Sequence, residues 1–327
     1  MKRHLKLLPA VFALAGIAAI TALVIYFGAG DVLHALASVS VEGFLAYVVV
    51  QLILLLGLGL CWRMLLRSRD NGGFWLCVWG RAVRDATGEF LPFSQVGGFV
   101  LGARVISFGG VSRSIAVAST LGDVTTEFLA QLIFIGIGLI LFAHEVPGSD
   151  LLVPIAIGLC VAIILAVGLV LAQRGSGTKL FRALALKIAG ATGEGAAAHA
   201  DKLQSALDIM YGERGRLVLS ALFHLFCWFG TATASYVGFR VLGVNLSFPD
   251  AICIESLLHA VMALAFFVPG RAGVQEAAYT VLGGAFGIPP DIALSLSLMR
   301  RARDFVIAVP VLIAWQGLEA RKLKAVG

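Results

Sequence analysis

The chain has 327 residues, of which 59% are hydrophobic and only 13% are charged. Soluble domains contain about 45–50% apolar and about 25% charged residues, so this composition excludes a water-soluble globule. The net charge of +6 is accounted for by the membrane topology derived below, so it does not indicate a nucleic-acid partner.

Long apolar runs predict six membrane-spanning helices, each near or above the roughly twenty residues that a bilayer requires. The first run follows a basic N-terminus and is too long for the apolar part of a typical signal peptide, so we interpret it as a retained helix. The six predicted spans cover residues 8–27, 43–62, 114–143, 151–172, 217–238 and 291–317. The predicted fold class is therefore an all-α, polytopic integral membrane protein.

Two stretches between these spans, residues 74–109 and 251–286, are rich in Gly and are each split by a central proline, Pro92 and Pro269. A proline in a helix interior removes a hydrogen bond and breaks the helix. Broken backbone is tolerated at membrane depth where protein or a water-filled cavity surrounds it. Each stretch is therefore predicted to be a re-entrant helical hairpin with two short arms.

The prolines belong to a pattern that occurs twice, 177 residues apart. Residues 91–128 align with residues 268–305 without a gap, and six of the thirty-eight positions are identical. Pro92 falls on Pro269, and Glu127 falls on Asp304. Internal repeats built on interrupted helices are typical of membrane transporters whose substrate site lies near the middle of the bilayer.

Charge distribution predicts the orientation of the repeats. Twenty of the twenty-five Lys and Arg residues fall at the two termini and in segments 63–113 and 173–216, which would share one face of the membrane. The positive-inside rule makes that face cytoplasmic. Spans 43–62 and 217–238 then run in opposite directions, so the two repeats are inverted and their hairpins enter from opposite faces. We expect a bacterial cytoplasmic (inner) membrane protein with both termini cytoplasmic.

The chain is interpreted as one membrane domain, residues 1–327. Repeat one covers about 40–143 and repeat two about 217–317. Segment 173–216 is predicted to be a cytoplasmic loop with an interfacial amphipathic helix, followed by a flexible connector at residues 190–200.

Ionisable residues within predicted spans are costly and mark functional positions. One set is Asp123 and Glu127, and the other is Arg300, Arg303 and Asp304. Two interpretations stay open at this point. The acids could pair with the arginines across the interface and join the repeats, or both sets could line a water-filled cavity that binds a lipid headgroup, with Arg contacting phosphate or carboxylate.

The hairpins carry further candidate residues. Glu89 precedes the first proline and Glu276 follows the second, each beside glycines that permit tight turns and exposed backbone amides. Glu255 and His259, spaced i, i+4, are interpreted as an ion pair or hydrogen bond because no third metal ligand is near. The candidate binding or gating residues are Glu276, Gly270, Gly273, Arg300, Arg303, Asp304, Asp123, Glu127 and Glu89. No catalytic residue, metal site or cofactor is predicted.

The second repeat, FFVPGRAGVQEAAY and the arginine-bearing helix after it, resembles the flippase-like superfamily that includes the transmembrane half of lysylphosphatidylglycerol synthases. The similarity is closest to a branch associated with hopanoid biosynthesis. The family pattern falls on Pro269, Gly270, Gly273 and Glu276, and on Arg300, Arg301 and Arg303. The first repeat departs from it, with Phe93 after Pro92 and with Asp123 where many relatives carry a basic residue.

The resemblance implies a lipid translocase that moves a lipid or its precursor between leaflets, with membrane lipids as partners. The alternatives are a non-catalytic scaffold for lipid-biosynthesis enzymes and, least favoured, a membrane-embedded transferase. We do not expect an enzyme, since no nucleophile or cofactor motif is present in the sequence.

Overall fold

A computed structural model describes residues 29–90, 94–174, 196–265 and 271–326. Within these ranges the regular structure is entirely helical, which confirms the predicted all-α class. The predicted first span, residues 8–27, and both hairpin prolines, Pro92 and Pro269, lie outside the described residues. The helices are α1 (Ala29–Ala37), α2 (Val41–Leu65), α3 (Phe74–Phe90), α4 (Ser94–Phe108), α5 (Arg113–Glu145), α6 (Leu152–Arg174), α7 (Ala196–Gly212), α8 (Arg214–Val241), α9 (Phe248–Leu264), α10 (Val274–Ala285) and α11 (Pro290–Val326), with a 3₁₀ turn at Ser68–Asp70.

Three helices of the described chain, α2, α5 and α8, are long and apolar enough to cross a membrane. They contain the predicted spans 43–62, 114–143 and 217–238. The span predicted at 151–172 corresponds to α6, whose apolar part is shorter. The span predicted at 291–317 lies within α11, which continues for 37 residues. Exposed side chains such as Ile140 (73%) and Ile164 (70%) give these helices an apolar outer surface suited to lipid. The protein is a polytopic membrane protein.

The order of elements is the same in the two halves of the chain. A long helix (α2 or α8) is followed by a helical hairpin (α3–α4 or α9–α10) and then by a second long helix (α5 or α11). The leading helices pack side by side through their glycines, with Gly43 against Val241 and Gly57 against Cys227. Residue numbers therefore increase along α2 in the direction in which they decrease along α8. The two equivalent helices are antiparallel, as inverted repeats require.

The two hairpins have their bases at opposite ends of the bundle. Hairpin one (α3–α4) has Arg104, near its base, 2.5 Å from Glu319 on α11. Hairpin two (α9–α10) has Phe286, at its base, packed against Phe142 near the other end of α5, with ring centres 5.9 Å apart and ring planes at 58°. The arms have 17, 15, 17 and 12 residues, fewer than the roughly twenty needed to span a bilayer.

Local sequence signals set where these helices begin. The hydroxyl of Ser40 accepts the Gly43 N–H at 3.0 Å at the start of α2. At the start of α9, the hydroxyl of Ser247 accepts the Asp250 N–H, and the Asp250 carboxylate accepts the Ser247 N–H in return. This reciprocal capping satisfies backbone donors that the first helical turn leaves unpaired.

The segment predicted as a loop, residues 173–216, contains an ordered helix. Helix α7 begins at Ala196, within the stretch 190–200 that was predicted to be a flexible connector, so that prediction was wrong for its last five residues. Leu203 and Leu207 of α7 are buried against Val117 and Ala118 of α5. Burial of this apolar face fixes the helix on the bundle. The predicted amphipathic helix at residues 179–190 lies outside the described residues.

Candidate functional site

A cavity of about 570 Å³ lies between the two repeats. Helices α2, α3, α4, α5, α8, α9 and α11 contribute to its walls, together with Arg271 of hairpin two. Its lining includes the charged residues Arg81, Arg84, Asp85, Glu89, Glu127, Arg271, Arg300, Arg303 and Asp304. Charged groups inside a membrane domain are tolerated where they pair or face water, so this central cavity is the candidate binding site.

The first cluster of charges joins hairpin one to α5. Arg84 Nη1 donates to Asp123 Oδ2 at 2.5 Å, and Arg81 Nη2 donates to Glu127 Oε1 at 2.5 Å. Arg84 also donates to Glu127, and His224 Nε2 lies 3.1 Å from Asp123 Oδ1. Asp123 is fully buried behind the cavity wall, whereas the Glu127 side chain is 16% exposed and lines the cavity.

This arrangement corrects one of the two interpretations of the sequence. Asp123 and Glu127 neutralise Arg81 and Arg84 of their own repeat, and they do not pair with Arg300 across the interface. The charge distribution places Arg81 and Arg84 among the charges of the cytoplasmic face, but the structure buries them, at 4% and 6% exposure. Without these two arginines, eighteen of the twenty-five Lys and Arg residues are still assigned to the cytoplasmic face, so the predicted orientation is unchanged.

The second cluster joins α9 and α11. Arg300 Nη1 donates to Glu255 Oε1 at 2.6 Å and to the Tyr279 hydroxyl at 2.9 Å. His259 Nε2 lies 3.0 Å from the same Glu255 oxygen, as the i, i+4 spacing predicted, and the Ser235 hydroxyl donates to the other oxygen. Glu255 is thus fully surrounded by partners, which is what a buried carboxylate requires.

The two clusters occupy related places but have opposite polarity. The gap-free alignment of the repeats places Asp123 on Arg300. In repeat one the acid is on the helix after the hairpin and its arginine partners are on the first hairpin arm. In repeat two the arginine is on the helix after the hairpin and its acid partner, Glu255, is on the first hairpin arm. Each repeat therefore ties its hairpin to its second long helix by a buried ion pair.

Arg303 and Asp304 form a further pair on the cavity wall. Arg303 Nη2 donates to Asp304 Oδ1 at 2.7 Å. The Arg303 guanidinium also lies 4.7 Å from the centre of the Tyr47 ring on α2, a cation–π contact between the two repeats. Both predicted site residues line the central cavity.

The hairpin tips meet at Glu89 and Arg271. Arg271 Nη1 lies 3.6 Å from Glu89 Oε2, and both side chains remain about a quarter exposed, at 25% and 23%. Arg271 has a left-handed backbone conformation, with φ of 49°, which is uncommon for a residue with a side chain. Its buried Nε finds no hydrogen-bond partner among the described residues. Arg271 lines the cavity and is more exposed than Arg81, Arg84 and Arg300, whose side chains are 5%, 7% and 12% exposed.

A family model for the lysylphosphatidylglycerol synthase TM region matches residues 13–311. The chain belongs to this family. It is a membrane protein of the lipid-modifying or flippase-like kind. The match confirms the family resemblance found in the sequence, while assignment to the hopanoid-associated branch stays a prediction. Neither a curated protein nor a solved structure matches the chain.

In this member of the TM-region family, the motif residues Gly273 and Glu276 do not line the central cavity, whereas the motif residues Arg300 and Arg303 do. Glu276 is fully buried, and its carboxylate accepts the Gly273 N–H at 2.8 Å and the Arg301 Nε–H at 2.5 Å. Gly273 has φ of +81°, a conformation that favours glycine, at the start of α10. Gly270 lies outside the described residues. A direct substrate role for Gly273 and Glu276 stays a prediction.

The central cavity thus brings together five predicted site residues, Glu89, Glu127, Arg300, Arg303 and Asp304. Sequence reasoning missed the partners Arg81, Arg84 and Arg271 and the tyrosines Tyr47 and Tyr279. A signal for the first two was present, because arginines spaced i, i+3 in an arm predicted to enter the membrane require buried counter-charges. Arg271 carried no such signal, since its environment depends on hairpin one.

Proposed function

We propose that this protein is a lipid translocase, in which the central cavity carries the polar headgroup of a membrane lipid between leaflets. The observation that carries the proposal is a charged cavity of about 570 Å³ lined by residues of both repeats of a membrane protein. A headgroup cannot cross the apolar core unless polar groups replace its water. The family to which the chain belongs, named for a lipid synthase, supports lipid as the substrate class.

The cavity wall suits an amphipathic ligand. Leu54, Leu55 and Leu58 of α2 line it beside the charged groups, and Ile307 of α11 does the same. An acyl chain could follow this apolar side while the headgroup contacts the charged side. We assign the headgroup contact to Arg271, because its side chain is a quarter exposed on the cavity wall and its ion pair with Glu89 is long, at 3.6 Å. The guanidinium groups of Arg84, Arg300 and Arg303 are less exposed and form ion pairs of 2.5–2.7 Å.

The hairpin tips supply a gate for alternating access. The Glu89–Arg271 contact is long for an ion pair, at 3.6 Å, and is partly exposed, so it opens at lower cost than the buried pairs behind it. Each hairpin stays tied to the second long helix of its repeat by a buried cluster. The repeats can then rock as units while the tips part, as in other transporters built on inverted repeats.

The proposal also includes the finer expectations from the sequence. The protein acts in a bacterial inner membrane with both termini cytoplasmic, handles a lipid linked to hopanoid metabolism, and is not an enzyme. Comparison of the leaflet composition of membranes with and without the protein tests the lipid assignment.

The decisive experiment uses purified protein in vesicles. A fluorescent phospholipid placed in both leaflets is quenched from outside, and the protein should make the inner pool accessible. Arg271→Gln should slow this about tenfold, since one charge-assisted hydrogen bond is worth about 1.5–3 kcal/mol. Arg271→Lys keeps the positive charge but loses the planar guanidinium, so its transport rate should lie between those of the wild type and Arg271→Gln.

The matched control is Arg240→Gln, which removes an exposed arginine that contacts Tyr236 outside the cavity. It should move lipid at the wild-type rate. If no phospholipid in a broad panel moves, the translocase proposal fails. If a deletion strain loses a complex of lipid-biosynthesis enzymes while lipid movement is retained, the scaffold alternative is favoured instead.

A further inference from the structure

A second pocket, separate from the central cavity, opens at one end of the bundle. Its volume is about 100 Å³, and we call it the surface pocket. It is lined by Leu65 at the end of α2, Ile115 at the start of α5 and Arg216 at the start of α8, with the last turns of α7 closing the side. These are the ends of the three helices that can cross a membrane. The surface pocket therefore lies at the level of the lipid headgroups.

Arginines converge on this pocket. Arg63 Nη1 and Arg216 Nη1 both donate to the Leu66 carbonyl, at 2.6 Å and 3.2 Å. Arg67 lines the pocket, as does Arg69, which is exposed and forms no ion pair with any residue that the structure describes. Close cationic groups repel one another unless an anion lies between them.

One carboxylate at present lies between two of these arginines. Glu213 Oε1 is 2.5 Å from Arg67 Nη2, and Glu213 Oε2 is 2.9 Å from Arg216 Nε. The other acid of the pocket, Asp70, accepts the backbone N–H of Arg67 at 2.8 Å. A planar carboxylate bound by two guanidinium groups makes the same contacts that two phosphate oxygens would make. Glu213 thus marks the position of an anion that could replace it.

The apolar part of the pocket lining favours an anion that belongs to a lipid. Leu65, Ile115, Ile209 and Met210 form its apolar lining. A soluble phosphate gains nothing from such a surface, whereas the first carbons of a phospholipid do. Basic pockets between transmembrane helices are known to hold anionic headgroups. We propose that the surface pocket binds the phosphate of an anionic phospholipid from the adjacent leaflet, at a site distinct from the translocation cavity.

The test is native mass spectrometry of the full chain, counting the phosphatidylglycerol retained against phosphatidylcholine. Measurements are made in the Arg271→Gln background, so that the central cavity contributes as little as possible. Phosphatidylglycerol should be retained, and Arg69→Gln with Arg216→Gln should weaken retention about a hundredfold, because two charge-assisted contacts are lost. Arg240→Gln should leave retention unchanged. Arg69→Gln alone, which removes no hydrogen bond or ion pair between described residues, should also weaken it without affecting folding.

Glu213→Gln gives the opposite and more discriminating expectation. Loss of the competing carboxylate frees Arg67 and Arg216, so phosphatidylglycerol should bind more tightly than in the parent. If the arginines only cap the end of α2, Glu213→Gln should not increase the retention of phosphatidylglycerol. Equal retention in the parent, the double arginine variant and Glu213→Gln would overturn the proposal. So would full displacement of the lipid by inorganic phosphate, which would make the pocket a site for soluble anions.

Discussion

Asp123 and Arg300 occupy equivalent positions in the two repeats and carry opposite charges. Each is the centre of a buried cluster that ties a hairpin to the helix after it, Asp123 with Arg81 and Arg84, and Arg300 with Glu255. The positions of the acid and the arginine are exchanged between the repeats, but in both the ion pair joins the hairpin to the long helix that follows it. Inverted repeats need two units that move as wholes, and buried ion pairs within each repeat supply that stiffness.

Asp123→Asn should destabilise the protein strongly. The substitution leaves Arg81 and Arg84 with a single buried acid, Glu127, and breaking a buried pair in this way costs about 3–5 kcal/mol. The measurement is the thermal unfolding temperature of the protein in detergent. Asp85→Asn is the control, because Asp85 also pairs with Arg81 but is 41% exposed, so its loss should cost less than about 1 kcal/mol. Similar shifts for the two variants would contradict the assigned cluster.

A cross-link between hairpin tips should stop lipid movement. Glu89→Cys with Arg271→Cys, in a chain whose five native cysteines are replaced, places thiols where the side chains now meet. A short bifunctional thiol reagent should then hold the tips together, and cleavage of the linker should restore the rate of the untreated double variant. That rate is expected to be about tenfold below the wild type, because the Arg271 headgroup contact is lost. The reagent should leave the rate of each single-cysteine variant unchanged. Undiminished transport by the fully cross-linked protein would exclude the tips as a gate.

Glu276→Gln should lower stability before it changes lipid handling. The neutral amide no longer neutralises Arg301, and it caps the Gly273 N–H at the start of α10 less well. We expect a lower unfolding temperature, while the transport rate per folded molecule stays near that of the wild type. The family motif predicts the reverse, impaired transport in a stable protein, and that result would restore a substrate role for Glu276.

Gly138→Ala should disturb the contact between α5 and hairpin two. A Cβ at Gly138 would lie 1.6 Å from the Ser256 hydroxyl oxygen and 2.6 Å from the Ser256 Cβ, so rotation of the hydroxyl is not enough and α9 must shift, at a cost of about 1–3 kcal/mol. Gly158→Ala on α6 is the matched control, because a Cβ there meets nothing within 4 Å. It should be neutral or slightly stabilising, since alanine favours helix more than glycine does. Unfolding temperatures measure both, and equal values would refute the close contact.

The amino-acid sequence by itself determined the membrane class, three of the spanning helices and the doubled hairpin pattern. These depend on local properties, because an apolar run of about twenty residues has a favourable place only in a bilayer. Local spacing also predicted the pair Glu255 and His259, which are one helical turn apart.

Only the tertiary structure decided which charges meet. Arg81 lies 42 and 46 residues from Asp123 and Glu127, and no periodicity distinguishes these partners from Arg300 and Arg303. Ion pairing depends on the distance between charged groups in space, and the packing of hairpins against helices sets that distance. The same packing places Glu276 behind the cavity and Arg271 within it, although the two residues are five positions apart in the chain.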